Sequence, residues 1–508
     1  MLSTTIVLFL CALAASSVFT AMLCRYAPRL GLVDTPDARR KIHRRAVPLG
    51  GGLAIFGAVA FSMGMVLAIP NSLGQLFEDG ALRYASYFAA GLVIVVLGLI
   101  DDRAGLRGRV KLLGQIIAAL ILICGGLVIH NLAVFHWSIQ LGLLSVPFTL
   151  FWLVGAINAL NLLDGIDGMA TTVGLILVSA IAVLAGLTGS HEAQIIAIAF
   201  AGGLVGFLRH NFPPAKIFLG DAGSMLIGLV VGGLAIEASL KGPGTVLLAA
   251  PLAICSIPIL DSAAAILRRK LTGRSIYSTD RGHLHHRLLN RFGSNRRVLF
   301  WVAMICAPTA AAALASVFLQ NDAVALVTTL AVIGIVVAAD IFGRAELLLL
   351  VARLAQLGGS LFRPAARRAT AGSGLEVRLQ GSRSWGILWE SLTEAGDRYG
   401  LSRIHLNINM PAIHENYVAT WKSSHWPNPE DTWSVEIPLK VDSRLAGRLE
   451  ICGERNGSSP RDQIEAIIDL VEQFESRMAS LSHGGRPGTG PGERKAKLLV
   501  VAGTNGPR

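Results

Sequence analysis

Long apolar stretches alternate with short polar ones through the first two thirds of the chain. Apolar runs lie near 4–24, 50–70, 84–100, 112–131, 143–160, 169–187, 192–207, 223–239, 245–267, 298–319 and 323–341. Each is long enough to cross a bilayer core, or nearly so. Inside that core backbone polar groups must be satisfied within the segment, which helices do. The pattern therefore predicts an all-α polytopic membrane protein with about 11 transmembrane helices.

Beyond 341 the pattern changes. RAELLLLVARLAQLGGSLFRPAARR is amphipathic and basic, suited to lying on a membrane surface. LEVRLQG, RIHLNINM, TWSVEIPLKV and RLAGRLEICG then alternate as strands do. SWGILWESLTEAGDRYG and PRDQIEAIIDLVEQFESRMASL carry helical spacing. The expected organisation is a transmembrane domain at 1–341, a basic linker at 342–373 and a C-terminal soluble α+β domain at 374–482. The element order of that domain is similar to a sensory GAF-type module. A Gly/Pro-rich tail at 483–508 is expected to be disordered.

Composition agrees: of 508 residues 53% are hydrophobic and only 15% charged. The first apolar run lacks a basic flank and a small-residue cleavage site and is expected to stay as a helix. Loop 25–48 carries Arg25, Arg29, Arg39, Arg40, Lys41, Arg44 and Arg45, and loops 101–111 and 268–297 are similarly basic. Alternate loops hold little beyond Arg83 and Lys241. The positive-inside rule then puts the N-terminus outside, the basic loops in the cytoplasm and, for an odd helix count, the C-terminal part there too. The net charge of +12 follows from topology and attraction to anionic lipid rather than nucleic-acid binding. The six cysteines show no metal-ligand spacing.

Ionisable residues at the edges of these runs change the picture, because such groups are costly near a bilayer and mark function by default. NALNLLDGIDG holds Asn158, Asn161, Asp164 and Asp167, with each pair three residues apart. Carboxylates and amide oxygens are the hard ligands that Mg²⁺ prefers. The third run ends in GLIDDRAGLRGR, where Asp101 and Asp102 sit at a helix C-terminus. That position favours cations, so the pair needs a cation or a proton beside it. RHNFPPAKIFLGDAGS brings Phe218, which could stack on a base, and Asp221, which could cap the next helix. PDARRKIHRRAVPLGGG offers Lys41, His43 and Arg44 as phosphate donors, and YSTDRGHLHHRLLNRFG offers Arg281, His283, His285, His286 and Arg287. Charge bias alone places all these loops on one face, which points to divalent-metal and phosphate chemistry there.

In this order the motifs resemble those of the polyprenyl-phosphate N-acetylhexosamine-1-phosphate transferase family (glycosyltransferase family 4), over roughly residues 25–300. DRGHLHHRLL and RKIH are more similar to the branch that makes undecaprenyl-diphospho-N-acetylglucosamine for cell-surface polysaccharides. The phospho-N-acetylmuramoyl-pentapeptide transferases of peptidoglycan synthesis are the nearer competitor. The resemblance implies a multi-pass inner (plasma) membrane enzyme that moves a sugar-1-phosphate from a UDP-sugar to a polyprenyl phosphate, with Mg²⁺ (or Mn²⁺) and release of UMP. By the same resemblance Asp221 and Asn161 hold the metal, and Asp101, Asp102, Asp164 and Asp167 join Asp221 as catalytic acids. Phe218, Arg281, His283, His285 and His286 grip the UDP-sugar, and Lys41, His43 and Asn158 complete the substrate site. Direct attack by the lipid phosphate and a covalent aspartyl intermediate both fit. The C-terminal domain could regulate the enzyme, pair with a second copy or dock a later glycosyltransferase. Rival classes are an ion-coupled transporter, against which no inverted repeat is evident, and a membrane-anchored sensor.

Overall fold

The structure is a computed structural model. It describes residues 2–34, 46–68, 80–134, 137–240, 249–271 and 283–339, then 341, 373–380, 389–390, 392–394, 396, 399–410, 415–423, 432–441, 444–454, 471 and 475. Two compact units are present, one formed by 1–266 with 283–342 and the other by 267–282 with 343–508.

The first unit is helical. In chain order it holds α1 (Leu2–Tyr26), a β1 (Val33–Asp34) and β2 (Val47–Pro48) pair, α2 (Gly51–Leu67), α3 (Ala81–Ala104) and α4 (Gly108–Cys124). After the hairpin β3 (Asn131–Val134) and β4 (Trp137–Gln140) come α5 (Ser145–Leu163), α6 (Met169–Thr188), α7 (His191–Asn211) and α8 (Gly220–Leu240). α9 (Ala249–Ile254), α10 (Ser256–Leu271), α11 (Leu284–Phe292), α12 (Asn295–Phe318) and α13 (Asp322–Ala338) follow.

Seven helical segments among the described residues are long and apolar enough to cross a membrane. The other four expected runs form shorter helices. α2, α4 and α13 have 17 residues each, and the run at 245–267 is two helices, α9 and α10, that meet at Cys255. Pro251 and Pro258 lie on either side of that junction, and proline removes a helix hydrogen bond.

α8 is the axis of the unit. Its apolar window is buried along its whole length, packed by α2, α3, α5 and α6. Small residues permit this, since helices in lipid associate through close packing rather than by escaping water. At Gly98 of α3 the backbones approach so closely that a Cβ would lie 2.8 Å from Cβ of Ala222 and nearer still to its Cα and N. Gly52 of α2 approaches the same turn, its absent Cβ 2.5 Å from the carbonyl carbon of Ala222. Outward-facing side chains such as Leu92, Leu113, Phe151, Val183 and Phe300 are exposed, as a lipid-facing surface requires.

At the far end of α8 from Asp221, Glu237 is buried and accepts from Arg83 of α3 at 3.0 Å. The same two helices are thus joined by charge at both ends.

In the second unit five antiparallel strands, β5 (Ser373–Gln380), β6 (Leu401–Met410), β7 (Glu415–Lys422), β8 (Thr432–Val441) and β9 (Arg444–Glu454), stand in the order β5-β7-β6-β9-β8. Alternate residues Ile404, Leu406, Ile408, Tyr417, Ala419, Trp421, Leu449 and Ile451 form a core with Trp389, Leu392 and Val471. β7 was not among the expected strands. Most of the expected linker at 342–373, and all of the tail at 483–508, lie outside the described residues.

Candidate active site

The site forms where the C-terminal ends of α3 and α5 meet the N-terminal ends of α4 and α8. Its organising cation is Lys111, one turn into α4. Nζ of Lys111 lies 2.8 Å from Oδ2 of Asp101 and 2.8 Å from Oδ2 of Asp221. Charge-assisted bonds of this kind are roughly twice as strong as neutral ones, and here one ammonium offsets two carboxylates. Lys111 entered the sequence reading only as a basic loop residue. Its chemistry comes from partners distant in the chain.

Asp101 and Asp102 resolve their electrostatic conflict separately. Asp101 also accepts the Leu106 N–H at 2.6 Å, which closes the turn after α3. Asp102 points at the start of α8, where Oδ1 accepts the Asp221 N–H at 2.8 Å and Oδ2 the Ala222 N–H at 3.4 Å. A helix N-terminus leaves unsatisfied N–H groups and carries partial positive charge, so it suits a carboxylate.

Asp221 is more open than Asp101, its side chain 36% exposed against 8%. Its Oδ1 accepts from Nδ2 of Asn161 at 2.5 Å, and Asn161 also donates to Oγ of Ser224 at 2.9 Å. Asn158, three residues earlier, is engaged elsewhere. Its amide donates to Gln115 at 2.7 Å and to the Val154 carbonyl at 2.8 Å, and it meets none of the acids among the described residues.

Asp164 follows the end of α5. Burial first, and then the charges of Asp221, Asp102 and Asp167, push its carboxyl well above the usual range. Asp167 has a different job. Its Oδ2 accepts the Ala215 N–H at 3.0 Å and so ties the turn after α5 to the segment that carries Phe218. Asn211 holds that segment too, through the Ile217 carbonyl at 2.9 Å, as does Arg296 through the Pro213 carbonyl at 2.9 Å. Phe218 is half-buried, and its N–H donates to the Pro48 carbonyl at 2.9 Å.

The histidine-rich segment reaches the same place. A Cβ on Gly165 would overlap the imidazole of His285, 2.7 Å from Cδ2 and closer to Nε2. Glycine at 165 thus lets the ring rest directly on the backbone beside Asp164. His285 is 2% exposed, and neither ring nitrogen has a hydrogen-bond partner among the described residues. Burial, then His286 and His283, hold its pKa well below the usual imidazole value. His283 is buried and paired with Asp261 of α10, a residue the sequence reading passed over inside an apolar run. Lys41, His43, Arg44 and Arg281 lie outside the described residues.

No group of three or more His, Cys, Asp or Glu side chains forms a metal cage among the described residues. Mg²⁺ seldom needs one, since it commonly takes one or two carboxylates and completes its shell with substrate phosphates and water. The donor set fits that use. Asp221 and Asn161 are adjacent, and the ammonium of Lys111 already shows that this spot holds a cation. Asn161 presents its nitrogen here, and rotation of the amide would present Oδ1 instead.

The family model for glycosyl transferase family 4 matches residues 84–239, which include every acid described above except Asp261. A probable undecaprenyl-phosphate N-acetylglucosaminyl 1-phosphate transferase of Bacillus subtilis is 34% identical over 295 residues, covering 58% of this chain and 79% of that protein. A decaprenyl-phosphate N-acetylglucosaminephosphotransferase of Mycobacterium tuberculosis is 34% identical over 337 residues, 61% and 82% of the two chains. An undecaprenyl-phosphate alpha-N-acetylglucosaminyl 1-phosphate transferase of Escherichia coli is 30% identical over 310 residues, 59% and 80%.

Proposed function

From the premise that the chain belongs to glycosyl transferase family 4, we propose that it transfers N-acetylglucosamine-1-phosphate from UDP-N-acetylglucosamine to undecaprenyl phosphate. In this reaction an oxygen of the lipid phosphate bonds to the sugar-bearing phosphorus, the bond from that phosphorus to the bridging oxygen breaks, and UMP leaves. The observation that carries the reading is the convergence of Asp101, Asp102, Asn161 and Asp221 from three helices around Lys111, with His285 packed on Gly165 beside them.

The residues suit two mutually repelling phosphate groups. Lys111 and the N-terminus of α8 supply fixed positive charge. Asp167 and Asn211 hold the Phe218 segment, on which a base could stack. His285, whose ring nitrogens have no partner among the described residues, could donate from one to a phosphate oxygen and accept at the other from a sugar hydroxyl. Asp221 and Asn161 would hold Mg²⁺, which when bound supplies charge neutralisation to the diphosphate.

The names of the relatives favour the N-acetylglucosamine donor over the muramoyl-pentapeptide donor. The wider reading is an inner-membrane protein of about eleven helices with its N-terminus outside. Its acids and the 374–482 domain would face the cytoplasm, and the product would start a cell-surface polysaccharide.

The test is a radiolabel transfer assay on the purified protein with Mg²⁺ and undecaprenyl phosphate, the two donors run in parallel. Labelled lipid and UMP from UDP-N-acetylglucosamine, lost in Asp221→Asn, are expected. Transfer only from the muramoyl donor would change the substrate, and no transfer from any UDP-sugar would overturn the reading.

A further inference from the structure

Asp261 takes no part in the cluster around Lys111, yet it is 1% exposed and carries two directed bonds. Its Oδ2 lies 2.9 Å from Nδ1 of His283, and its Oδ1 accepts the Leu284 N–H at 2.8 Å. Leu284 is the first residue of α11, and His283, at the capping position, makes no side-chain capping bond itself. A short helix needs acceptors for its first N–H groups, and here a carboxylate from another helix provides one.

The same grip sets the imidazoles. With Nδ1–H donated to Asp261, the ring orientation of His283 is set, and Nε2 is left to accept from a sugar hydroxyl or, once protonated, to donate to a phosphate oxygen. The ring of His285 lies parallel to it, centroids 5.8 Å apart with 6° between planes, and 4.2 Å from the ring of His286. His285 in turn rests on Gly165. One line of contact therefore runs from Asp261 through the start of α11 to the acidic turn.

We propose that Asp261 is a positioning residue, which by holding Nδ1 of His283 and the N-terminus of α11 sets the histidine segment against the acidic turn to receive the diphosphate of the sugar donor. The inference rests on the transferase reading above. Asp261 touches no reacting atom, and its effect passes through His283.

The test uses the full chain in detergent or nanodiscs, with Asp261→Asn, His283→Gln and the double variant, and UDP-N-acetylglucosamine and undecaprenyl phosphate as probes. Asp261→Asn is expected to lower kcat/KM for the nucleotide sugar by on the order of 10–100-fold, as loss of an orienting partner does, with KM for the lipid unchanged. Added to His283→Gln it is expected to cost nothing more. Hydrogen exchange gives a readout independent of turnover, in which the amides of 284–292 are expected to exchange faster in Asp261→Ala. His283→Asn, whose Nδ2 can keep the bond to Asp261 but which has no Nε2, is expected to leave that exchange unchanged and still lose rate. Additive losses in the double variant, or unchanged exchange in Asp261→Ala, would overturn the proposal. An inactive wild type would instead overturn the transferase reading, and the exchange arm would still decide whether Asp261 grips α11.

Discussion

The close approach of α3 to α8 makes Gly98→Ala the sharpest probe of how the fold sets the acids. An added Cβ would lie 2.8 Å from Cβ of Ala222 and nearer to its backbone, whereas carbon atoms rest at about 3.5–4.0 Å. The neighbour is helix backbone, not a flexible side-chain tip, so α3 and α8 must part by about 1 Å. Gly98 precedes Asp101 and Asp102 by one turn, and Ala222 adjoins Asp221. The displacement therefore falls on the bonds from Asp102 to the N–H groups of Asp221 and Ala222. Overpacking costs about 1–3 kcal/mol, and a bond to a charged group about 1.5–3 kcal/mol, so destabilisation of roughly 2.5–6 kcal/mol is expected. A misplacement of about 1 Å at a reacting centre costs on the order of 100-fold in rate. The assay is the initial rate of sugar-phosphate transfer beside the thermal midpoint in detergent. Gly155→Ala is the control, because an added Cβ there meets nothing within 4 Å. If Gly98→Ala kept a rate within about threefold of wild type and an unchanged midpoint, the argument from close packing to acid geometry would be wrong.

Other consequences can be measured on the same preparation. Gly165→Ala should push the His285 ring off the acidic turn and lower kcat/KM for the nucleotide sugar about tenfold or more, and a rate equal to wild type would show that the ring has room to yield. Arg83→Ala removes the 3.0 Å partner of a buried Glu237 and should destabilise by about 3–5 kcal/mol, with Glu237→Gln in the same background recovering part of the loss; unfolding at the wild-type midpoint would count against a buried pair. The depressed pKa of His285 means that the fold favours its neutral ring. Its contribution to stability is present above the unfolded value of about 6.5 and is lost as pH falls toward the folded value. The thermal midpoint should therefore fall on acidification below about pH 6.5, less steeply in His285→Gln, and identical slopes would contradict the burial of that ring.

What could be read from the chain and what could not divide along a physical line. Acids at the ends of apolar runs are legible because the cost of charge near a bilayer depends on local context alone. Their partners are not. Lys111 is one basic residue in a loop already expected to be basic, so nothing local separates a cation paired with two acids from a topological one. Asp261 sits within PILDSAAAIL, where an apolar neighbourhood conceals a carboxylate whose bonds cross to α11. Asn158 shows the converse. Its spacing from Asn161 is right for one helix face, but a step of three residues is also about 4.5 Å along the axis, and the amide meets Gln115 instead of the acids. β7 was legible in principle, since Tyr417, Ala419 and Trp421 alternate into the core, but the polar Glu415 and Asn416 at its start obscure the pattern.

The paired Asp101 and Asp102 show how far such reasoning reaches. Two carboxylates at a helix C-terminus require compensating charge, and that requirement follows from the sequence. The compensation is of two kinds, an ammonium for Asp101 and the N-terminus of α8 for Asp102. The first comes from the next helix and the second from 119 residues away, and only the close approach at Gly98 brings the second within reach. A rule about charge can demand a partner, but the choice of partner belongs to packing, and here packing is decided by where a side chain is missing.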